Sequence, residues 1–270
     1  MKNLLCATLA FACAACAAKP SVEVVDGNNM PVVKASLDGV ECLMLVDTGA
    51  SHTTFDLGFA TNSFPGAALQ DVMLVGATNV ATPPKFMPAK KLSVAGEDIP
   101  VAGVMVFDLS HLPKAVRRPV AGILGMDHMR HAPCLLSLKE GTLSWNPSDA
   151  AKKGFVRVPA RARGNAWELA AKFPGGRIAW LLADTGSTFT FIDAEMWRKA
   201  GDAVSMSAAG VNGTAGETNE RGVKGRVEFG PDFSAQIEPM LTPRKDLNQV
   251  GSDVFRNVDI YFDDSGVWLR

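Results

Sequence analysis

Tyrosine is almost missing from this sequence: Tyr261 is the single one in 270 residues. Cysteine occurs five times, but Cys6, Cys13 and Cys16 fall in the first 16 residues, leaving only Cys42 and Cys134 downstream. Two cysteines are too few for a disulfide framework. Export would permit a bond between them, yet a buried thiol is the favoured reading. No run of 18 consecutive apolar residues occurs, which excludes an ordinary membrane-spanning helix. Charge of either sign is not in excess. The 27 basic and 28 acidic residues give a formal net charge of −1, so nothing marks nucleic acid or an anionic surface as a partner. No serine sits in a G-x-S-x-G context, so a serine hydrolase of that type is unsupported. His128, His131 and Cys134 form H-x2-H-x2-C, which lacks a fourth ligand and matches no standard zinc spacing; it reads as a short polar helix. No metal or cofactor is expected. Long amphipathic helices and low-complexity tracts are missing too.

What remains points to β structure. Hydrophobic residues make up 47% of the chain, enough for a sizeable core, and 25 glycines and 16 prolines suit many turns. The N-terminus has the form of an export signal over residues 1–18: Lys2, a short apolar stretch from Leu4 to Ala12, then small residues. Two outcomes compete. A-x-A cleavage sites occur at Ala12-Cys13-Ala14 and Ala15-Cys16-Ala17. Alternatively Cys13 or Cys16 is lipidated, as in bacterial lipoproteins, giving a membrane tether. Either way the mature chain is expected outside the cytoplasm, periplasmic or membrane-anchored.

The rest reads as two copies of one plan. Residues 42–56 run apolar into Asp47-Thr48-Gly49, then small hydroxylated residues, an apolar residue and Asp56. Residues 179–193 do the same through Asp184-Thr185-Gly186 to Asp193. Each copy has a later Gly-x-Asp after an apolar residue: Ile123-Leu124-Gly125 before Asp127, and Gln249-Val250-Gly251 before Asp253. Each closes with a strand–turn–strand, 135–145 and 258–269. The interval from Asp to Gly is 78 positions in the first copy and 67 in the second. The difference is expected in the variable middle of each half. Polar residues 146–154 read as a linker between halves at 22–147 and 155–270. Strands are expected at 32–37 and 41–46, joined at Asp38-Gly39, and at 92–95 and 101–107. Short helices are expected at 127–131 and 193–200, each started by an aspartate.

Two matched Asp-Thr-Gly turns suit a particular chemistry. Hydrolysis of a peptide without a covalent intermediate needs a base to activate water and an acid to protonate the leaving nitrogen. Two carboxyls sharing one proton supply both, because close like charges cannot both ionise easily. Asp47 and Asp184 would be that pair. Thr48 and Thr185 could each hydrogen-bond the opposite loop, and Gly49 and Gly186 would let the backbone approach closely.

On these residues the sequence resembles the aspartic protease family, in the two-lobed arrangement of pepsin-like enzymes, with lobes similar to the compact retropepsin fold. The resemblance implies an all-β protein of two retropepsin-like barrel lobes with the active site at their interface. It implies an aspartic endopeptidase acting on extended peptide or protein segments. It also implies Asp47 and Asp184 as catalytic residues, supported by Thr48, Gly49, Thr185, Gly186, Ser187 and the strands Ile123-Leu124-Gly125 and Val250-Gly251. With both lobes in one chain, a monomer is expected. Three departures stand out. Ser187 offers a hydroxyl after the second motif, whereas Ala50 follows the first. The missing donor at Asp47 is therefore expected to leave the pair less acidified, favouring a mildly acidic to near-neutral optimum. Gln249 replaces an apolar residue. The flap tyrosine of pepsin-like enzymes is missing, so flap candidates are the glycine-bearing hairpins at Val75-Gly76-Ala77 and around Gly213. A non-catalytic peptide-binding module on the same fold is the competing reading.

Overall fold

The computed structural model describes residues 21–26, 28–72, 83–210, 213–245 and 247–270, with the backbone alone over 201–218. The leader at 1–18, with Cys13 and Cys16, and the flap candidates Val75, Gly76 and Ala77 lie outside the described residues.

The first half contributes β1 (Val22–Val24), β2 (Pro31–Leu37), β3 (Val40–Val46), β4 (Thr54–Asp56), β5 (Gln70–Asp71), β6 (Lys85–Pro88), β7 (Lys91–Val94), β8 (Glu97–Pro100), β9 (Gly103–Phe107), β10 (Val120–Leu124), β11 (Cys134–Ser137) and β12 (Thr142–Trp145). Its helices are short: α1 (Leu57–Ser63), α2 (Leu112–Val116) and α3 (Met126–Met129). The second half contributes β13 (Val156–Val158), β14 (Ala160–Arg163), β15 (Ala166–Lys172), β16 (Ile178–Ala183), β17 (Phe191–Asp193), β18 (Lys199–Gly210), β19 (Gly213–Gly222), β20 (Gly225–Glu228), β21 (Ser234–Ile237), β22 (Met240–Thr242), β23 (Gln249–Val250), α4 (Ser252–Phe255), β24 (Ile260–Asp263) and β25 (Gly266–Leu269).

The two halves repeat strand for strand. One sheet runs β5-β6-β9-β4-β10-β3-β2-β7-β8, with β1 on β2. The other runs β18-β19-β22-β17-β23-β16-β15-β20-β21, with β14 on β15. In each, a late strand threads between two early ones: β10 lies parallel to β3 and antiparallel to β4, and β23 parallel to β16 and antiparallel to β17. A strand flanked on both sides reads as a continuous apolar run rather than an alternating one. Accordingly all five residues of β10 are buried. The turn at Asp38-Gly39 closes β2 on β3, and the Asp38 carboxylate accepts the amides of Lys90 and Lys91, fixing the start of β7.

The closing strands of both halves meet in a third sheet, ordered β12-β11-β24-β25-β13. Cys134, Leu135 and Leu136 pair with Phe262, Tyr261 and Ile260 across the halves. One continuous apolar core, from Val22 to Leu269, passes through both lobes and this shared sheet. Residues 146–154 fold back beside it, where the Arg270 guanidinium donates to the carbonyls of Ala151 and Lys153.

Several sequence expectations change. Residues 193–200 form a turn running into β18, not a helix, despite good helix formers. The physical reason is tertiary. Trp197 is buried edge-on against Phe173 and donates its indole N–H to the Val223 carbonyl at 2.7 Å, which draws the chain out of helical geometry. The helix expected at 127–131 forms one residue earlier, as α3. Most of the length difference between halves lies late rather than in the middle. Aligning Val106 on β9 with Leu241 on β22, the run to the following glycine is 19 positions in lobe one and ten in lobe two. The extra residues carry α2.

That insertion also gives Ile123 and its counterpart Gln249 different surroundings. Ile123 and Gln249 occupy corresponding places, beside Leu45 and Leu182. In lobe one α2 covers this face, and Leu112, Val116, Val120, Ile123, Leu45 and Val32 form a second small apolar core. Burying each such side chain is worth about 1.5–3 kcal/mol. Among the described residues lobe two has no counterpart of α2, and Gln249, itself buried, lies in one row with Leu182 and the buried Glu168, which pairs with Arg161 at 2.6 Å.

Candidate active site

The Asp47 loop leaves the end of β3, and the Asp184 loop leaves the end of β16. Both are held at the base by the threaded strand: the Asp47 amide donates to the Leu124 carbonyl at 3.0 Å and the Asp184 amide to the Val250 carbonyl at 2.9 Å. Both are held again at the far side, where the Met126 amide donates to Ala50 and the Ser252 amide to Ser187, each at 2.8 Å. Gly125 and Gly251 are needed for this threading. A Cβ on either would lie 2.5 or 2.4 Å from the carbonyl carbon of His52 or Phe189, with no flexible side chain to yield.

The threonines join the lobes. The Thr48 amide donates to the Thr185 hydroxyl and the Thr185 amide to the Thr48 hydroxyl, both at 3.1 Å. Each hydroxyl in turn donates to a strand end of the other lobe, Thr48 to the Ala183 carbonyl and Thr185 to the Val46 carbonyl, both at 2.7 Å. Both threonines are buried. Four hydrogen bonds thus fix one loop against the other, sealed from water.

The glycines sit between the loops. A Cβ on Gly49 would lie 2.6 Å from Asp184 Cγ, and one on Gly186 would lie 2.4 Å from Asp47 Cγ. Each loop backbone therefore presses on the carboxyl of the opposite lobe, and any side chain at either place would push the aspartates apart. Asp47 and Asp184 are hydrogen-bonded to one another and hemmed in by protein, while retaining some solvent-accessible surface.

Burial raises the Asp47 carboxyl above the ordinary carboxylate range, against the hydrogen bond with Asp184 and the amides of Gly49 and Ala50. Those amides both donate to its Oδ1, at 2.8 and 2.9 Å. Asp184 is raised further. Burial comes first, then the Asp47 charge and the hydrogen bond to it, against the amides of Ser187 and Gly186. The expected role of Ser187 changes here. Its amide donates to Asp184 at 3.0 Å, but its hydroxyl donates to the Phe189 carbonyl at 2.8 Å. The Ser187 hydroxyl is therefore spent on Phe189, and burial and the Asp47 charge prevail at Asp184.

A repeated support escaped the sequence reading. Asp127 Oδ1 accepts the Thr53 amide at 2.7 Å and its hydroxyl at 2.8 Å, and the Gly125 amide donates to that hydroxyl at 2.9 Å. In lobe two Asp253 accepts the Thr190 hydroxyl at 2.8 Å, and the Gly251 amide donates to it at 3.1 Å. The signal was present: a threonine six places after each Asp and an aspartate two places after each Gly. Ser252 adds a bond on one side only, to the Thr185 carbonyl at 2.6 Å.

The other candidates disperse. His128 lies 3.1 Å from Asp127, His131 lies 3.7 Å from Glu97, and Cys134 is buried in the shared sheet, so H-x2-H-x2-C does not converge. Among the described residues, no group of three or more His, Cys, Asp or Glu could hold a metal ion. Cys42 and Cys134 are both free thiols. Gly213 pairs with Gly210 at the tip of the long β18–β19 hairpin. Among the described residues, no helix is long and apolar enough to cross a membrane.

A family model described as aspartyl protease matches residues 33–128. No curated protein matches the sequence. Among solved structures, basic 7S globulin from soybean is similar over 92% of both chains, with a TM-score of 0.52 at 9% identity, a likeness of fold. An aspartyl protease pattern over the first lobe and the two-lobed aspartic protease fold over the described chain are therefore what this protein is built on.

Proposed function

We propose that the chain is an aspartic endopeptidase in which Asp47 and Asp184 activate one water molecule between them. The observation that carries this reading is the mutual packing of the two loops. Each glycine leaves room for the opposite carboxyl, and the threonine bonds hold the pair together. Asp47, with two amides on one oxygen, is the base that takes a proton from water. Asp184, raised further by burial and by its neighbour, keeps the shared proton and donates it to the scissile carbonyl. The protonated carboxyl polarises that carbonyl as water attacks. As the C–N bond breaks, Asp47 passes the proton it has gained to the leaving nitrogen and a hydroxyl proton of the tetrahedral intermediate returns to Asp184, so the pair again holds one proton. An extended segment is the fitting substrate, since it can bind across the cleft as a strand.

Gln249 had favoured a non-catalytic peptide-binding module. Gln249 is buried on the threaded strand β23, while the amides that meet the Asp47 and Asp184 carboxyls come from the two loops themselves, so the departure leaves those contacts in place. Export by the leader, with or without a lipid tether, and a monomeric state complete the proposal. The test compares purified wild type with Asp47→Ala and Asp184→Ala on an unbiased peptide library from pH 3 to 8. Cleavage confined to wild type supports the reading, and wild type indistinguishable from both variants refutes it.

A further inference from the structure

The two loops are related by the repeat and share the threonine bonds, but among the described residues the Asp47 loop has a further side-chain tie to the opposite lobe. In lobe two the turn joining β14 to β15 is Gly164-Asn165, since Arg163 pairs with Ala166. It reaches across the boundary to the Asp47 loop. The Asn165 carboxamide donates to the Ser51 carbonyl at 2.9 Å, four residues beyond Asp47. Gly164 takes a left-handed φ of +60°, and a Cβ there would lie 3.0 Å from Ser51 Oγ, so the turn backbone is pressed against the same residue.

Lobe one returns the contact. Arg130, which ends α3, donates to the Asn165 carbonyl at 3.4 Å and pairs with Asp264 on the β24–β25 turn at 3.0 Å. Its guanidinium also lies over the Trp167 ring, 4.9 Å from the centroid. A cation held by an anion, a carbonyl and an aromatic face has little freedom. Asn165 is therefore held from behind while its side chain holds Ser51.

The opposite half of the repeat does not close. The corresponding turn of lobe one, between β1 and β2, also carries an asparagine, Asn28. Its carboxamide donates instead to the carbonyls of Ala115 and Val116, at 3.0 Å each, at the end of α2. The counterpart of Arg130 after α4, Arg256, is exposed. The inserted helix has captured the lobe-one asparagine.

We infer that Asn165 is a positioning residue: through Ser51 it sets the distance and orientation of the Asp47 carboxyl relative to Asp184. This rests on the endopeptidase reading for its effect on rate, but not for its effect on the carboxyl pair. The titratable groups facing one another are Asp47 and Asp184, and their other hydrogen-bond partners are the amides of Gly49, Ala50, Gly186 and Ser187. Loosening the Asp47 loop weakens the repulsion that raises Asp184, and the upper limb of a pH profile moves down.

The experiment uses the intact protein with Asn165→Leu and Asn28→Leu. Asn165→Ser, too short to reach Ser51, is read in parallel in case the leucine variant does not fold. Two readouts are taken: kcat and KM against pH on a cleaved peptide, and NMR titration of 13C-carboxyl-labelled aspartate. The expected result for the Asn165 variants is kcat lower by roughly tenfold to a hundredfold with KM little changed, an upper limb at lower pH, and two carboxyl steps closer together. Asn28→Leu loses stability and keeps the wild-type pH profile. If the Asn165 variants keep the wild-type kcat and pH profile, the inference is overturned while the endopeptidase reading stands. If wild type cleaves nothing, that reading fails and the titration decides: steps that converge in the Asn165 variants support the positioning role, and steps that do not move overturn it.

Discussion

The amides of Thr48 and Thr185 each donate to the hydroxyl of the other across the lobe boundary, and each hydroxyl passes its own proton onward into the other lobe. Valine at either position keeps the shape and removes both functions of the hydroxyl. Thr48→Val deletes two hydrogen bonds and leaves the buried Thr185 amide without its acceptor. The expected loss is about 2–4 kcal/mol, read as a lower urea midpoint. The same change at the exposed Thr61 hydroxyl, which bonds only within α1, is expected to cost well under 1 kcal/mol.

The raised carboxyl of Asp184 makes a prediction about stability and pH. A carboxyl whose folded value lies above its ordinary value of 3.8 binds its proton more tightly when folded. The stability it contributes is fully present below that ordinary value and is lost as pH rises through the folded value. Asp184→Asn, which needs no proton, is therefore expected to be more stable than wild type at neutral pH and to lose that advantage at pH 3. Thermal unfolding at both pH values checks it. Activity should follow the same groups, rising as Asp47 ionises and falling as Asp184 does, with the upper limb above the ordinary carboxylate range.

The two supporting aspartates should respond to pH in opposite ways. At Asp127 burial pushes up, but the His128 hydrogen bond and charge and the Thr53 donors outweigh it and hold the carboxyl below its usual value. At Asp253 burial prevails over Thr190 and the value is raised. Stability from Asp127 is thus present above the ordinary value and lost as pH falls through the folded one. That from Asp253 is present at low pH and lost as pH rises. Asp127→Ala should cost about 1–3 kcal/mol at pH 7, less in acid, and Asp253→Ala should cost more in acid than at pH 7.

Both cysteines should prove inert to redox conditions. Burial pushes the Cys42 thiol up to about 12 and raises Cys134 as well, so neither forms thiolate near neutrality. Unfolding midpoints with and without reductant are expected to coincide. A thiol reagent should modify half-buried Cys42 slowly and Cys134 only on unfolding.

The loops were readable in the sequence because their chemistry is local: Asp-Thr-Gly, its flanks and the later Gly each recur at a fixed place in both halves. Strands at 32–37 and 41–46 were readable for a similar reason, since Asp38-Gly39 dictates the turn between them. What was not readable depends on distant partners. Residues 193–200 favour a helix by propensity, and only the pocket made by Phe173 and Val223 turns Trp197 and its neighbours away from it. Ser187 has a hydroxyl in the expected place, but the Phe189 carbonyl two residues on competes for its proton. Ile123 packs in the small core with Leu112 and Val116 of α2, whereas its counterpart Gln249 is buried in one row with Leu182 and Glu168, and no local pattern announces that difference. Thr53 and Thr190 were passed over because a threonine and an aspartate more than 60 positions apart give no local sign of meeting.

The central claim is that Asp47 and Asp184 act as one unit, and steady-state cleavage by the two single variants and the double variant tests it most directly. Residues that share one proton cannot work alone, so losses should not multiply. The account predicts that Asp47→Ala, Asp184→Ala and the double variant all fall to the same residual rate. A single variant that keeps a substantial part of wild-type activity, or a double variant whose loss is the product of the two single losses, would contradict it.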